Sequence, residues 1–246
     1  SMKVIVTNSY DETCAVIANM IKELVNAKPD AKLGLATGGT PVPIYKKLIE
    51  MNKAGEVDFS RVHTVNLDEY CGIPGTHDQS YRYFMDTNLF DYINIDKKNT
   101  FVASGMGDFE ANARELEEKV REGGAADLQL LGIGNNGHIA FNEASDHLIA
   151  VAHTEKLTES TINANARFFE KKEDVPTMAI TMGMGDILAA KKVVLAATGL
   201  AKVPAIRGLI MDDVITTQNP STMLKMHEDA VVVIDRELAD AVGYRA

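Results

Sequence analysis

Three stretches of this chain carry residue types that could do chemistry, and each follows a short apolar run. The longest is Gly132-Ile133-Gly134-Asn135-Asn136-Gly137-His138-Ile139-Ala140-Phe141-Asn142-Glu143. Histidine is the side chain best suited to proton transfer near neutral pH. A carboxylate such as Glu143 can orient the ring and stabilise its charged form, as a triad acid does. Asn136 offers an amide that can hold a hydroxyl without titrating. Gly132, Gly134 and Gly137 also spell the dinucleotide fingerprint, but that motif must open an amphipathic helix. A polar loop follows instead, so the fingerprint is rejected. Alone, His138 reads as a hydrogen-bonded loop histidine; clustered with Asn136 and Glu143, it reads as catalytic.

The second stretch is Leu67-Asp68-Glu69-Tyr70. Acids at the mouth of a buried strand are costly unless paired or used. A carboxylate held there can act as a general base. Adjacent residues of an extended chain face opposite ways, so one acid should face the site and the other the scaffold. A solvated acidic loop is an equal alternative for this stretch taken alone. Cys71 has no identifiable base partner and reads as a passive thiol.

The third is Thr37-Gly38-Gly39-Thr40-Pro41. Paired glycines allow a sharp turn and close backbone approach to a ligand. Thr40 is placed as a helix N-cap and Pro41 as the first helical residue. Amides at such a helix start favour an anion, which makes this a phosphate cradle in outline. No Gly-Lys-Ser/Thr follows, so it is not a Walker loop. A ligand-free tight turn is the alternative.

These stretches need a scaffold. Strands are expected at Lys3 to Val6, Lys32 to Ala36, Val62 to Asn66, Leu128 to Ile133, Met178 to Thr181, Lys192 to Thr198 and Ala230 to Ile234. Helices are expected from a capping box at Ser9 and Glu12 to about Lys28, then at Pro41 to Ala54, Ser80 to Phe90 and Phe109 to Glu122. Alternating strands and helices imply an α/β fold: a doubly wound, mostly parallel, Rossmann-like sheet with helices on both faces. Ligands of such sheets bind beyond the carboxyl ends of the strands, at a topological switch point. Glu143 to Leu157 fits neither period and is a candidate lid.

At 246 residues with a 46% apolar share, the chain fits one α/β domain spanning 1–246. A net charge of −10 argues against nucleic acid or an anionic membrane as partner. Two distant cysteines, Cys14 and Cys71, argue against a disulfide framework or a cysteine metal site. No apolar run approaches the roughly 20 residues of a membrane span. No basic-then-apolar signal opens the chain, so a cytoplasmic protein is expected, and Ser1 reads as a cloning remnant.

With these motifs in view, the chain resembles the glucosamine-6-phosphate deaminase family. The resemblance rests on Leu-Gly-Leu-Ala-Thr-Gly-Gly-Thr-Pro from Leu33, Asn-Leu-Asp-Glu-Tyr from Asn66, Gly-Asn-Asn-Gly-His-Ile-Ala-Phe-Asn-Glu from Gly134 and Asn-Ala-Arg-Phe-Phe from Asn165. It covers Lys3 to about Leu238. The His-containing motif is specific, whereas the Gly-Gly-Thr motif is shared with 6-phosphogluconolactonases.

The resemblance implies conversion of glucosamine 6-phosphate to fructose 6-phosphate and ammonia, with no cofactor and no metal. Asp68 would be the base at C2 and His138 the ring-opening group, assisted by Asn136 and Glu143. The phosphate would lie on Thr37, Gly38, Gly39 and Thr40, with Arg167 and Lys202 completing its charge shell. Part of the family has Asp at the position of Asn136, and a Pro where this chain has Ala144. A phosphogluconolactonase-like hydrolase is the alternative; Ile-Ala-Phe-Asn-Glu after His138 favours the deaminase. A non-catalytic sugar-phosphate sensor is disfavoured by the intact Asp68, His138 and Glu143. Larger hexameric members bind the activator N-acetylglucosamine 6-phosphate with an Arg and a Lys, where this chain has His153 and Glu155. The resemblance therefore implies a short, non-allosteric form, monomeric or a small homo-oligomer.

Overall fold

Alternate residues of the central strands point to opposite faces, and both sets are apolar. That pattern requires a cover on each face. The computed structural model describes residues 2–245; Ser1, read above as a cloning remnant, lies outside the described residues. Seven strands form one parallel sheet: β1 (Met2–Thr7), β2 (Lys32–Leu35), β3 (His63–Asn66), β5 (Thr100–Phe101), β6 (Leu128–Leu131), β9 (Val193–Ala197) and β10 (Ala230–Asp235). Their order is β1-β10-β9-β6-β2-β3-β5. A second, antiparallel sheet has the order β4-β8-β7, from β4 (Asp68–Tyr70), β8 (Met178–Thr181) and β7 (His153–Lys156).

The helices are α1 (Tyr10–Ala27), α2 (Val42–Lys53), α3 (Tyr81–Asn88), α4 (Phe109–Arg121), α5 (Glu159–Asn165), α6 (Met184–Leu188), α7 (Val203–Ile210) and α8 (Arg236–Val242). On one face Val194, Ala196, Val231 and Val233 pack with α1, α2 and Met85 of α3. On the other Val193, Leu195, Val232 and Ile234 pack with α4, α6, α7 and α8. Leu67, Ile180 and Met182 belong to this second cluster, so the small sheet shares the core of the large one. Burying each such side chain contributes roughly 1.5–3 kcal/mol.

The doubly wound expectation holds, with local corrections. Ser9 caps α1 by accepting the Glu12 amide at 3.1 Å. Thr40 does not cap α2: the helix starts at Val42, Pro41 takes the capping position, and no side chain caps it. Proline's fixed φ suits a first turn, and here Pro43 rather than Pro41 occupies it. The expected helix to Phe90 breaks at Leu89, and Phe90–Tyr92 forms a 3-10 turn. Met178–Thr181 is a strand as expected, but it joins the small sheet.

Candidate active site

The strand order reverses between β2 and β6, since the chain runs outward through β3 and β5 and then returns beside β2. Parallel strands leave a crevice at such a reversal, beyond their carboxyl ends. The Gly-Gly turn leaves β2, the His138 loop leaves β6, and Lys202 follows β9, the other neighbour of β6.

Asp68 and Glu69 divide their work as alternation requires. Glu69 faces the scaffold. Its carboxylate accepts the Ser80 hydroxyl at 2.7 Å and the amides of Tyr70, Tyr81 and Arg82 at 2.8, 2.9 and 3.0 Å. It thereby holds the first turn of α3, where a negative charge is favoured. Asp68 is 7% exposed and makes no such bonds. Burial, with Glu69 adding to it, pushes the Asp68 carboxyl up to about 8. The rings of Tyr70, Tyr81 and Phe141 stand together nearby, with Tyr70 and Tyr81 centred 4.8 Å apart. Asp68 faces Thr181 in the ladder, and the Thr181 hydroxyl accepts the Phe141 amide at 3.3 Å. The small sheet thus ties the Asp68 strand to the His138 loop.

In that loop, His138 Nδ1 lies 2.9 Å from the Ala140 carbonyl oxygen. A carbonyl only accepts, so Nδ1 carries the proton and Nε2 of the neutral ring is bare. Ala140 adopts φ 54°, the sole positive φ at a non-glycine among the described residues. Gly134 lies beneath the ring: a Cβ there would come within 1.8 Å of His138 Cδ2. Glu143 does not orient the ring, contrary to expectation; its carboxylate accepts Asn136 Nδ2 at 3.1 Å. Asn136 Oδ1 in turn accepts the His138 amide at 3.1 Å. A backbone carbonyl replaces the triad acid because the tight turn at Ala140 folds it back onto Nδ1. Asn142 anchors the loop by donating to the carbonyls of Ile139 and Met182 at 3.0 and 2.9 Å.

Thr37, Gly38, Gly39 and Thr40 form an open turn, with Gly38 at φ 97°. The Thr40 carbonyl accepts the Tyr10 hydroxyl, and Tyr45 bonds Ala36 at the start of the turn. Lys202 Nζ donates to the Ile133 carbonyl at 2.6 Å, which brings it to the root of the His138 loop. Burial holds its ammonium below the usual lysine range. Arg167 is exposed, sits 4.5 Å over the Phe168 ring and forms no ion pair among the described residues. Asn165, two residues before it, donates to the Tyr70 hydroxyl at 3.1 Å, docking that segment beside Asp68. The sequence did not single out Tyr81, Thr181, Asn142 or Ala140, whose parts depend on pairings and backbone turns.

Cys71 is buried and its thiol is pushed up to about 11, chiefly by burial, as a passive thiol should be. Among the described residues no group of three His, Cys, Asp or Glu could hold a metal ion. A cavity of about 620 Å³ lies at the opposite, amino ends of the strands. Most of its lysines are engaged: Lys28 and Lys191 with Asp127, Lys119 with Glu122, and Lys32 with backbone carbonyls.

Residues 7–233 match the family model described as glucosamine-6-phosphate isomerases/6-phosphogluconolactonase. The chain belongs to this family. Within the family it is 52% identical to a glucosamine-6-phosphate deaminase of Clostridium beijerinckii, over 98% of this chain and 100% of that relative. Among solved structures it resembles one described as a monomeric glucosamine-6-phosphate deaminase, with 39% identity, a TM-score of 0.91, and 98% and 100% of the two chains covered. A 6-phosphogluconolactonase of Thermotoga maritima shares the fold at a TM-score of 0.75 and 19% identity, covering 96% and 100% of the two chains.

Proposed function

We propose that this enzyme converts glucosamine 6-phosphate and water to fructose 6-phosphate and ammonia. The observation that carries this reading is the pairing of two unlike proton acceptors at one crevice. One is a buried carboxyl, Asp68, free of scaffold bonds. The other is His138 Nε2, left bare by the Ala140 carbonyl. The deaminases at about half identity support the same reading.

The closed sugar has no acidic C2 hydrogen until its ring opens. His138 Nε2 takes the O1 proton, and a proton returns to the ring oxygen as the C1–O bond to it breaks. The aldehyde at C1 then acidifies C2. Asp68 removes the C2 proton as O1 takes one from the C2 ammonium, which leaves an enolamine; Asp68 then returns its proton to C1, giving an iminium at C2. Water adds to that iminium, a proton passes from the added oxygen to the nitrogen, and ammonia leaves to give the ketone. The substrate's own carbonyl serves as electron sink, so the scheme calls for neither pyridoxal phosphate nor metal. A positioned base contributes on the order of 10²–10⁴-fold. Asn136 and Glu143 hold the loop and offer hydrogen bonds to substrate hydroxyls. Thr37, Gly38, Gly39 and Thr40 cradle the phosphate, with Lys202 and Arg167 supplying charge.

The reading extends to a cytoplasmic enzyme, monomeric or in a small homo-oligomer, that lacks the activator site of larger relatives. No helix among the described residues is long and apolar enough to cross a membrane. The deciding experiment measures ammonia release from glucosamine 6-phosphate. Ammonia and fructose 6-phosphate should appear in equal amounts. Hydrolysis of 6-phosphogluconolactone without ammonia release would replace this reading by the lactonase one.

A further inference from the structure

The His138 loop is braced from behind by a segment that none of the motifs includes. Gly137, at φ 88°, immediately precedes His138. Its carbonyl accepts the Ser221 amide at 2.9 Å. A Cβ on Gly137 would lie 1.9 Å from Asn219 Oδ1, so the Asn219 amide is packed directly on the Gly137 backbone. Asn219 Oδ1 also accepts the Ser221 hydroxyl at 2.6 Å. The other end of the same amide faces α7. Asn219 Nδ2 donates to the Ala205 carbonyl at 3.1 Å, and a Cβ on Gly208 would lie 2.6 Å from it. Ala205 is in the first turn of α7, just after Lys202.

Asn219 is itself held firmly. Its amide donates to the Thr216 carbonyl at 3.1 Å, and its carbonyl accepts the Thr222 hydroxyl at 2.7 Å. The adjoining residues reach the far end of the catalytic stretch. Thr217 Oγ1 and Gln218 Nε2 donate to the Ser145 carbonyl at 2.5 and 2.8 Å, and the Ser145 amide donates to the Thr217 carbonyl at 3.2 Å. One segment thus fastens the backbone both before His138 and after Glu143.

We propose that Asn219 is a positioning residue, which fastens the His138 loop to the helix behind Lys202 and so fixes the ring relative to the phosphate-binding cation. The proposal rests on the deaminase reading for the roles of His138 and Lys202. Its physical content is that a planar amide packed on the Gly137 backbone donates to α7 from one end and at the other accepts the hydroxyl of Ser221, whose own amide bonds the Gly137 carbonyl. No apolar side chain can do both. Loss of the span lets the ring drift, and a shift of about 1 Å can cost on the order of 10²-fold in rate.

The test compares Asn219→Ala, Asn219→Asp and Ser221→Ala with the wild-type chain. The readouts are kcat and KM for glucosamine 6-phosphate, Tm, and the long-range 1H–15N spectrum of His138, assigned with His138→Gln. Asn219→Ala should lower kcat about 10–100-fold with KM changed less than about 3-fold, because binding common to ground and transition states is kept. The single Nδ1–H tautomer of His138 should become mixed or broadened. Asn219→Asp keeps the acceptor but sets a carboxylate against the Ala205 carbonyl, so it should not rescue. Ser221→Ala should fall between wild type and Asn219→Ala. Unchanged kcat in Asn219→Ala overturns the proposal. So does a lowered kcat with an unaltered His138 spectrum. If Asn219→Ala does not fold, Ser221→Ala is judged by the same two criteria. If the wild type releases no ammonia, the function reading fails, and the His138 spectrum alone still decides whether Asn219 fixes the ring.

Discussion

Asp68 sits where a carboxylate is hard to form, and the proposed chemistry needs one. With its carboxyl pushed up to about 8 by burial and Glu69, the empty site holds mostly the acid at neutral pH. The kcat/KM of the free enzyme should therefore rise with pH and level off above about 8. Bound substrate brings an ammonium at C2, which favours the carboxylate, so the matching limb of kcat should lie at lower pH. Steady-state rates across that range check this; a flat kcat/KM limb would remove Asp68 as base. The same shift bears on stability. The folded value lies above the unfolded carboxyl value of about 4, so the native state keeps a proton that the unfolded chain releases. This stabilisation is complete below about pH 4 and is lost as pH rises through about 8. Asp68→Asn should thus abolish turnover while raising stability by about 1–2 kcal/mol at pH 8, with the gain vanishing near pH 4. Calorimetry at the two pH values reads it directly. Ala140 gives a second residue-level test. A β-branched side chain is strained at positive φ, so Ala140→Val should cost about 1–3 kcal/mol and most of kcat, whereas Ala140→Gly should keep near-normal kcat. Equal activity in both variants would detach the Ala140 carbonyl from the ring. The split between Asp68 and Glu69 was legible because strand alternation forces it. The group that orients His138 was not, because it is a backbone carbonyl and no side-chain identity announces it.

Among the elements, α4 ends on a single side chain from β2. Lys32 Nζ shares its three N–H donors among the carbonyls of Lys119, Val120, Glu122 and Gly124, all at 2.8–2.9 Å. Lys119 and Val120 are last-turn carbonyls that a helix end leaves unpaired, Glu122 and Gly124 lie just past it, and a cation suits the negative end of the dipole. Lys32→Met keeps the stem but removes every one of those donors, and should cost about 1.5–3 kcal/mol. The ammonia rate should be unchanged, since Lys32 lies at the amino end of its strand. Urea unfolding and the ammonia assay check the two halves. A stable variant would mean that water caps α4 equally well. In sequence Lys32 reads only as a strand's first residue. The buried parallel strands were legible for the opposite reason: continuous apolar runs such as Val193–Ala197 announce burial on both faces. The small sheet was not. His153–Lys156 is polar and Asp68–Tyr70 is three residues long, so neither carries a period. Met178–Thr181 was legible as a strand, but a strand does not name its partners.

At the scale of the molecule, the proposed lack of an activator site makes a kinetic prediction. His153 and Glu155 bond each other at 2.7 Å, and His153 Nδ1 is engaged by the Val151 carbonyl. The pair offers no fork of donors for a phosphate, and Glu155 opposes one. Rates should be hyperbolic in glucosamine 6-phosphate and unaltered by N-acetylglucosamine 6-phosphate; sigmoidal rates made hyperbolic by that compound would contradict this. The sheet order carries a consequence of another kind. β1 lies at an edge, and its sheet partner is β10, with Met2 beside Ala230 and Thr7 beside Asp235. A ribosome delivers β1 long before β10. Until then the first strand has no neighbour to pair with, and α1 covers a sheet that is still incomplete. The pairing that places β1 in the large sheet thus waits for β10. Contacts of such long separation form slowly.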